Sequence, residues 1–215
     1  MSADGSSYEP IGARCFRIEP DTPHPGVTFY DMQPLLDSPT TQSVVTSRLV
    51  NEMAAADKSA QRADVTHVVA LEMRGLFLGT WLAQSLGVPL VPMRKRAQAM
   101  RLVRHVNADL VSSPLYGTEY SLASDGARLC VRRGALPAGA RCLVVDDVLA
   151  TGGSLRAAAS VVEACGATVH SCAVLLAVTD KCLAAPVDAA PVYTCFETTR
   201  DDATPVRQVF GALAL

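Results

Sequence analysis

The stretch "VVDDVLATGGS", Val144 to Ser154, ends an apolar run in two carboxylates and follows them at once with small residues and hydroxyls. Ionised carboxylates only accept hydrogen bonds, so Asp146 and Asp147 suit the two hydroxyls of a vicinal diol, or a divalent cation. The residues after them suit the opposite charge. Ala150, Thr151, Gly152 and Gly153 can turn backbone N–H groups toward one point with little side-chain bulk in the way, and a helix starting there adds its own amides. Thr151 and Ser154 bring hydroxyl donors, with Ser154 a candidate N-cap. Val148 and Leu149 join the two halves and count with them as candidate binding residues. A ligand with hydroxyls on one side and a phosphate on the other fits the whole string, and ribose 5-phosphate has that form.

Other phosphate loops do not fit. No Lys follows the glycines as in the P-loop of nucleotide triphosphatases, and G-x-G-x-x-G is absent. "TGGSL" is not the G-x-S-x-G nucleophile elbow.

Such a site needs strands to carry it and helices to cover them. "RCLVVDD" reads as a buried strand ending at the carboxylates, Ser154–Cys165 as a helix and "TVHSCAVLLAV" as the next strand. Upstream, Val45, Leu49 and Met53 recur at helical spacing within 42–57, and "THVVAL" is a short β-branched strand. Gly75–Leu86 is helical with Gly87 as its cap, and "VPLVPM" is a strand. Residues 96–118 lack steady periodicity and read as a mobile loop. "EYSLAS" and "ARLCVRR" flank Asp-Gly, a hairpin signal. Residues 1–40, rich in Pro and Gly, read as an ordered surface arm. The alternation of strand and helix implies one α/β domain over 1–215, with a mainly parallel central sheet flanked by helices.

Composition narrows the partners. A net charge of −2 over 215 residues gives no basic footprint for nucleic acid. The apolar runs are too short to span a bilayer, and the N-terminus carries no signal-peptide pattern. The seven cysteines form no C-x-x-C pair and fit reduced, buried thiols. The four histidines are dispersed without metal-ligand spacing. The expectation is a cytoplasmic protein with no metal held by its side chains alone.

"VVDDVLATGGS" resembles the phosphoribosyl diphosphate (PRPP) motif of the type I phosphoribosyltransferases, and its "DDVLATGG" form is most similar to that of the adenine-specific enzymes. "HPGVTFYDMQPLL", "ALEMRGLFLG" and "VPLVPMRK" agree in order, so the resemblance covers about Pro23 to Leu176. It implies that family's fold, with a small N-terminal hood over the base and a mobile loop or hairpin. It also implies transfer of the 5-phosphoribosyl group from PRPP to adenine, giving AMP and pyrophosphate, with Mg2+ bound mainly through PRPP and pyrophosphate, in a homodimer.

By the same resemblance, Glu72, Met73, Arg74 and Gly75 form the pyrophosphate loop, partly through a cis peptide outside proline. Arg74 forks onto pyrophosphate oxygens, and Arg94 and Lys95 add positive charge. Thr28 and Tyr30 read the base with backbone groups while Phe29 stacks on it. Asp146 and Asp147 hold the ribose hydroxyls and face the developing oxocarbenium charge.

The chain departs from the pattern twice. Tyr30 stands where the family often has Arg. Ala123, in "YSLAS", stands where the adenine enzymes commonly have a Glu that assists proton transfer. Glu119 is the remaining carboxylate on that strand, but four residues separate the positions, about 13 Å, so only a shifted register brings it into reach. These departures keep two alternatives open: a catalytically impaired PRPP- or AMP-binding regulatory homologue, and an enzyme for another purine base.

Overall fold

The computed structural model describes residues 15–22, 25, 28–56, 64–95, 116–121, 128–180, 190–199 and 206–213. Most of the expected 96–118 loop, the Asp125-Gly126 turn and Ala123 lie outside them. In chain order the elements are β1 (Arg17–Glu19), β2 (Phe29–Asp31), α1 (Gln33–Leu36), α2 (Pro39–Ala56), β3 (His67–Leu71), α3 (Gly75–Leu86) and β4 (Leu90–Lys95). They continue with β5 (Tyr116–Ser121), β6 (Arg128–Arg132), β7 (Arg141–Leu149), α4 (Gly153–Ala164), β8 (Thr168–Val178), β9 (Val192–Thr198) and β10 (Arg207–Ala212).

Among the described residues the main sheet has eight strands in the order β10-β9-β8-β7-β3-β4-β6-β5. Its middle is parallel, from β9 through β8, β7 and β3 to β4, and the flanking pairs β4/β6, β5/β6 and β9/β10 are antiparallel. This is the mainly parallel sheet the sequence implies. The expected hairpin is present as β5 and β6, paired from Ser121↔Arg128 to Glu119↔Cys130. From β3 the chain steps one way to β4, and from β7 it steps the other way to β8 and β9. The β3/β7 boundary is therefore the topological switch point, where open α/β sheets leave a crevice at their carboxyl ends.

Alternation along the strands splits the interior in two. Val68, Ala70, Leu143 and Val145 face one cluster with α2 and α3, while Val69, Leu71, Cys142 and Val144 face the other with α4. α3 sits unusually low on the sheet, because a Cβ on Gly79 would fall 2.4 Å from that of Ala70. Gly87 ends α3 in the left-handed region at φ 68°, as its sequence position predicts. α2 begins three residues before the expected Gln42. Ser38 Oγ accepts the Thr41 amide and Pro39 opens the helix, a capping pair that periodicity alone does not reveal.

The reading of the N-terminus needs correction. The N-terminal arm is not merely a surface feature: β1 and β2 form a ribbon, and Cys15, Phe16, Tyr30, Met32 and Leu35 are buried in the core. Phe16 meets Phe196 edge-on with ring centroids 5.6 Å apart, so the arm is anchored to the C-terminal strands. The tail after Asp180 supplies β9 and β10, which extend the sheet on that side. Burial pushes the thiols of Cys142 and Cys172 up to about 11 and about 12, so they stay protonated and unreactive. Among the described residues no helix is long and apolar enough to cross a membrane.

Candidate active site

Two loops meet at the switch point, one leaving β3 and one leaving β7. In the first, the Glu72–Met73 peptide is cis, at the position the resemblance implied. The Glu72 amide donates to the Met93 carbonyl (2.8 Å), tying the loop to the end of β4. Glu72 Oε2 lies 3.8 Å from Arg94 Nε, both side chains partly buried, so two residues expected at the pyrophosphate also face each other. Met73 is 69% exposed, which leaves its backbone rather than its side chain to shape the loop. Gly75 then opens α3 under a tight constraint. A Cβ there would come within 3.0 Å of the Asp146 Cα and the Val145 carbonyl, so only glycine lets the start of α3 rest on the acidic strand end.

Arg74 is the junction of the site. Its Nε lies 2.8 Å from Asp147 Oδ2, its Nη1 donates to the Tyr30 carbonyl at 3.2 Å, and its guanidinium carbon sits 4.8 Å from the centre of the Phe29 ring. Sequence reasoning assigned these residues to separate jobs on separate loops, and the fold brings all four together. Thr28 and Phe29 are half-buried, open on one side as a base pocket requires. Tyr30 is buried, so its side chain packs in the core and cannot replace the polar anchor that Arg supplies in the family.

The acidic pair is asymmetric. Asp147 is paired with Arg74, whereas the Asp146 carboxyl is held well above the usual carboxylate range. Burial is the main cause, followed by the neighbouring charge of Asp147 and a side-chain hydrogen bond with it. The Asp147 amide, which donates to Asp146 Oδ1 at 2.9 Å, and the charge of Arg74 oppose the rise.

The strand before the anion turn is longer than the sequence suggested. β7 does not stop at the carboxylates but runs to Leu149, with Val148 and Leu149 in register with Leu176 and Ala177 of β8. Parallel pairing beyond the acidic residues withdraws both from the loop, and Leu149 is buried in the core. The turn is left with Ala150, Thr151, Gly152 and Gly153. Gly152, not Ser154, is the N-cap of α4, in the left-handed region at φ 75° and with no side-chain cap bond. A residue with a Cβ is strained there, which is why the motif needs glycine. Ser154 is the second residue of the helix and, like Thr151, is exposed.

One participant was missed. Arg156 Nη2 donates to the Thr151 carbonyl at 2.9 Å and braces the turn from the first turns of α4. A basic residue three positions past a glycyl pair at a helix start was the available signal. Lys95 is half-buried at the end of β4, in register with Leu129. Glu119 lies on β5 at the edge of the sheet, four strand spacings or about 19 Å along the sheet from β7. The pairing irregularity of that strand falls between Tyr116 and Glu119, and from Glu119 to Ser121 the register is regular.

The crevice thus combines hydroxyl acceptors, an anion turn, a cationic loop and a half-open aromatic pocket. The family model described as a phosphoribosyl transferase domain matches residues 46–209. The adenine phosphoribosyltransferase of Nocardioides sp. is 39% identical over 158 residues, which is 73% of this chain and 77% of that protein. The crystal structure of adenine phosphoribosyltransferase from Thermoanaerobacter pseudethanolicus has a TM-score of 0.68 at 27% identity, covering 86% of this chain and 96% of that one. The Saccharomyces cerevisiae enzyme, crystallised with D-2,5-dideoxy-2,5-imino-altritol 1,6-bisphosphate and adenine, gives 0.67 at 26% identity over 84% and 93% of the two chains. The matched stretch runs from α2 into β10 and contains both loops of the crevice: this chain belongs to the phosphoribosyl transferase family, among its adenine phosphoribosyltransferases.

Proposed function

We propose that the chain is a purine salvage enzyme, transferring the 5-phosphoribosyl group from PRPP to adenine with AMP and pyrophosphate as products. The observation that carries this reading is the convergence on Arg74 of the base pocket, at Phe29 and Tyr30, and of the diol-binding pair, at Asp147. A ligand spanning those groups has a planar base at one end and a phosphorylated pentose at the other. Asp146 and Asp147 accept the ribose hydroxyls and place negative potential beside the anomeric carbon as positive charge develops there. The Ala150–Gly153 turn grips the 5'-phosphate with its amides, so the two substrates are held for attack by the adenine N9. Such alignment is worth about 7–11 kcal/mol in well-oriented cases.

Magnesium fits this site as a companion of the substrate. The acidic pair offers the hard oxygen donors that the ion accepts. When bound with pyrophosphate it supplies charge neutralisation at the leaving group. The reading includes a cytoplasmic homodimer.

Purified protein given adenine, PRPP and Mg2+ yields AMP and pyrophosphate, measured by chromatography. Binding of both ligands without product would instead mark a regulatory homologue, and turnover confined to another purine would mark a different base specificity. Phe29→Ala raises the KM for adenine by about 5- to 150-fold, the equivalent of roughly 1–3 kcal/mol of stacking, with the KM for PRPP little changed. An equal rise in both constants would deny Phe29 a role at the base. Ala123→Glu raises kcat toward the gain of about 10² that general acid–base help provides at its lower end. A flat response in single-turnover rate would mean that proton transfer does not limit the reaction.

A further inference from the structure

Arg74 was expected to meet pyrophosphate, yet its guanidinium is engaged by three groups of the protein itself. Two of them, the Phe29 ring and the Tyr30 carbonyl, belong to the pocket assigned above to the base. A guanidinium is planar and delocalised, stacks on aromatic faces and presents N–H donors. The amino edge of adenine has the same character: flat, stacking, with an N–H to give to a carbonyl. On Phe29 and Tyr30 the side chain therefore makes the contacts a base would make. Its third contact, the 2.8 Å ion pair with Asp147, is to a carboxylate assigned to the ribose hydroxyls. The guanidinium thus spans both subsites, and a ligand in either one competes with it.

We propose that Arg74 is an internal competitor for adenine, held in the base pocket by Asp147 and released when a phosphorylated ribose takes Asp147 and pyrophosphate takes the guanidinium. The proposal rests on the adenine reading above. It makes the two substrates cooperative. Without PRPP, adenine must displace the guanidinium from the ring and the carbonyl. With PRPP bound, Asp147 holds hydroxyls, Arg74 holds phosphate oxygens, and the pocket is clear. Linkage then requires that each substrate tighten the other by the same factor.

The test is calorimetric titration of adenine into the full chain, alone and with ribose 5-phosphate plus magnesium pyrophosphate, which occupy the PRPP subsites without permitting transfer. The wild type binds adenine about tenfold or more tightly in their presence, within the roughly 5- to 150-fold span of such couplings. Arg74→Ala binds adenine alone more tightly than the wild type does, and adding the two phosphorylated ligands no longer changes its affinity. Arg74→Lys, which keeps a charge for Asp147 but lacks the flat fork, also gains affinity for adenine alone and guards against misfolding of the alanine variant. Equal adenine affinity of the wild type under both conditions, or no gain in either variant, overturns the proposal. A protein that forms AMP yet gives one of those results keeps its function and loses only the competitor. One that forms no AMP loses both.

Discussion

Asp146→Asn lowers kcat/KM for PRPP by about 10²- to 10³-fold, the usual cost of removing one electrostatic partner of a transition state, while the ligand-free protein melts at a higher temperature at neutral pH. The two effects have one origin. Burial, and then the charge of Asp147, hold the Asp146 carboxyl well above its ordinary range, so ionising it in the empty site is unfavourable. In the unfolded chain the same group titrates near about 3.9. Below that pH both states are protonated and the group costs nothing. As pH rises toward the folded value, the unfolded state releases its proton first, the native state binds more protons, and the free energy of unfolding falls. Above the folded value the loss is complete and constant. The amide carries no charge, so the variant escapes that loss and its stability declines less over the same window. It also keeps an oxygen for the Asp147 amide that Asp146 Oδ1 now accepts. What it gives up is one anionic acceptor for the ribose hydroxyls, a trade of function for stability found at strained sites. Calorimetric melting of both proteins between pH 4 and 8, with kinetics at pH 7, checks the pair of effects. A variant that melts lower than the wild type at pH 7 would contradict the electrostatic account.

Gly79→Ala is the substitution with the largest expected effect on folding. In the middle of an exposed helix the change would stabilise by about 1 kcal/mol, because alanine is the better helix former. On α3 the sign reverses. The added methyl would stand 2.4 Å from the Ala70 Cβ, which is fixed to the β3 backbone and cannot swing away, while Leu90 Cδ1 at 3.5 Å would be in ordinary contact. Overpacking of this kind costs about 1–3 kcal/mol, and a chain of this size loses roughly 2–4 °C of Tm per kcal/mol. α3 and β3 flank the Glu72–Gly75 loop, so lifting the helix also moves the start of α3 off Asp146, and PRPP affinity falls with stability. Ala70→Gly in the same protein restores room for the methyl, and the double variant recovers most of both losses. Should the single variant melt at or above the wild-type temperature, the close approach of α3 to β3 would be refuted.

Much of this was legible because it is local. Short, apolar, β-branched runs mark β3 and β8 as buried strands, helical spacing marks α2, and Gly87 marks the end of α3 through its backbone freedom. The acidic pair followed by a glycyl turn identifies the chemistry without coordinates, since acceptor-only groups and converging amides each suit one kind of ligand group. Local signals blur at boundaries, as at β7, which pairs with β8 as far as Leu149 and leaves α4 to be capped by Gly152 rather than Ser154.

The amino-acid sequence by itself marked the main elements from α2 to β8, the turn whose amides suit an anion and the family the motif resembles, because those properties depend on residues within a few positions of each other. Only the tertiary structure decided the strand order that puts β3 beside β7, the packing of Phe16 against Phe196 of β9, and the meeting of Arg74 with Phe29, Tyr30 and Asp147. Those facts join segments far apart in the chain, as with the 44 positions between Arg74 and Tyr30. Such pairings are selected by the shared burial of whole faces, which no short window of sequence encodes.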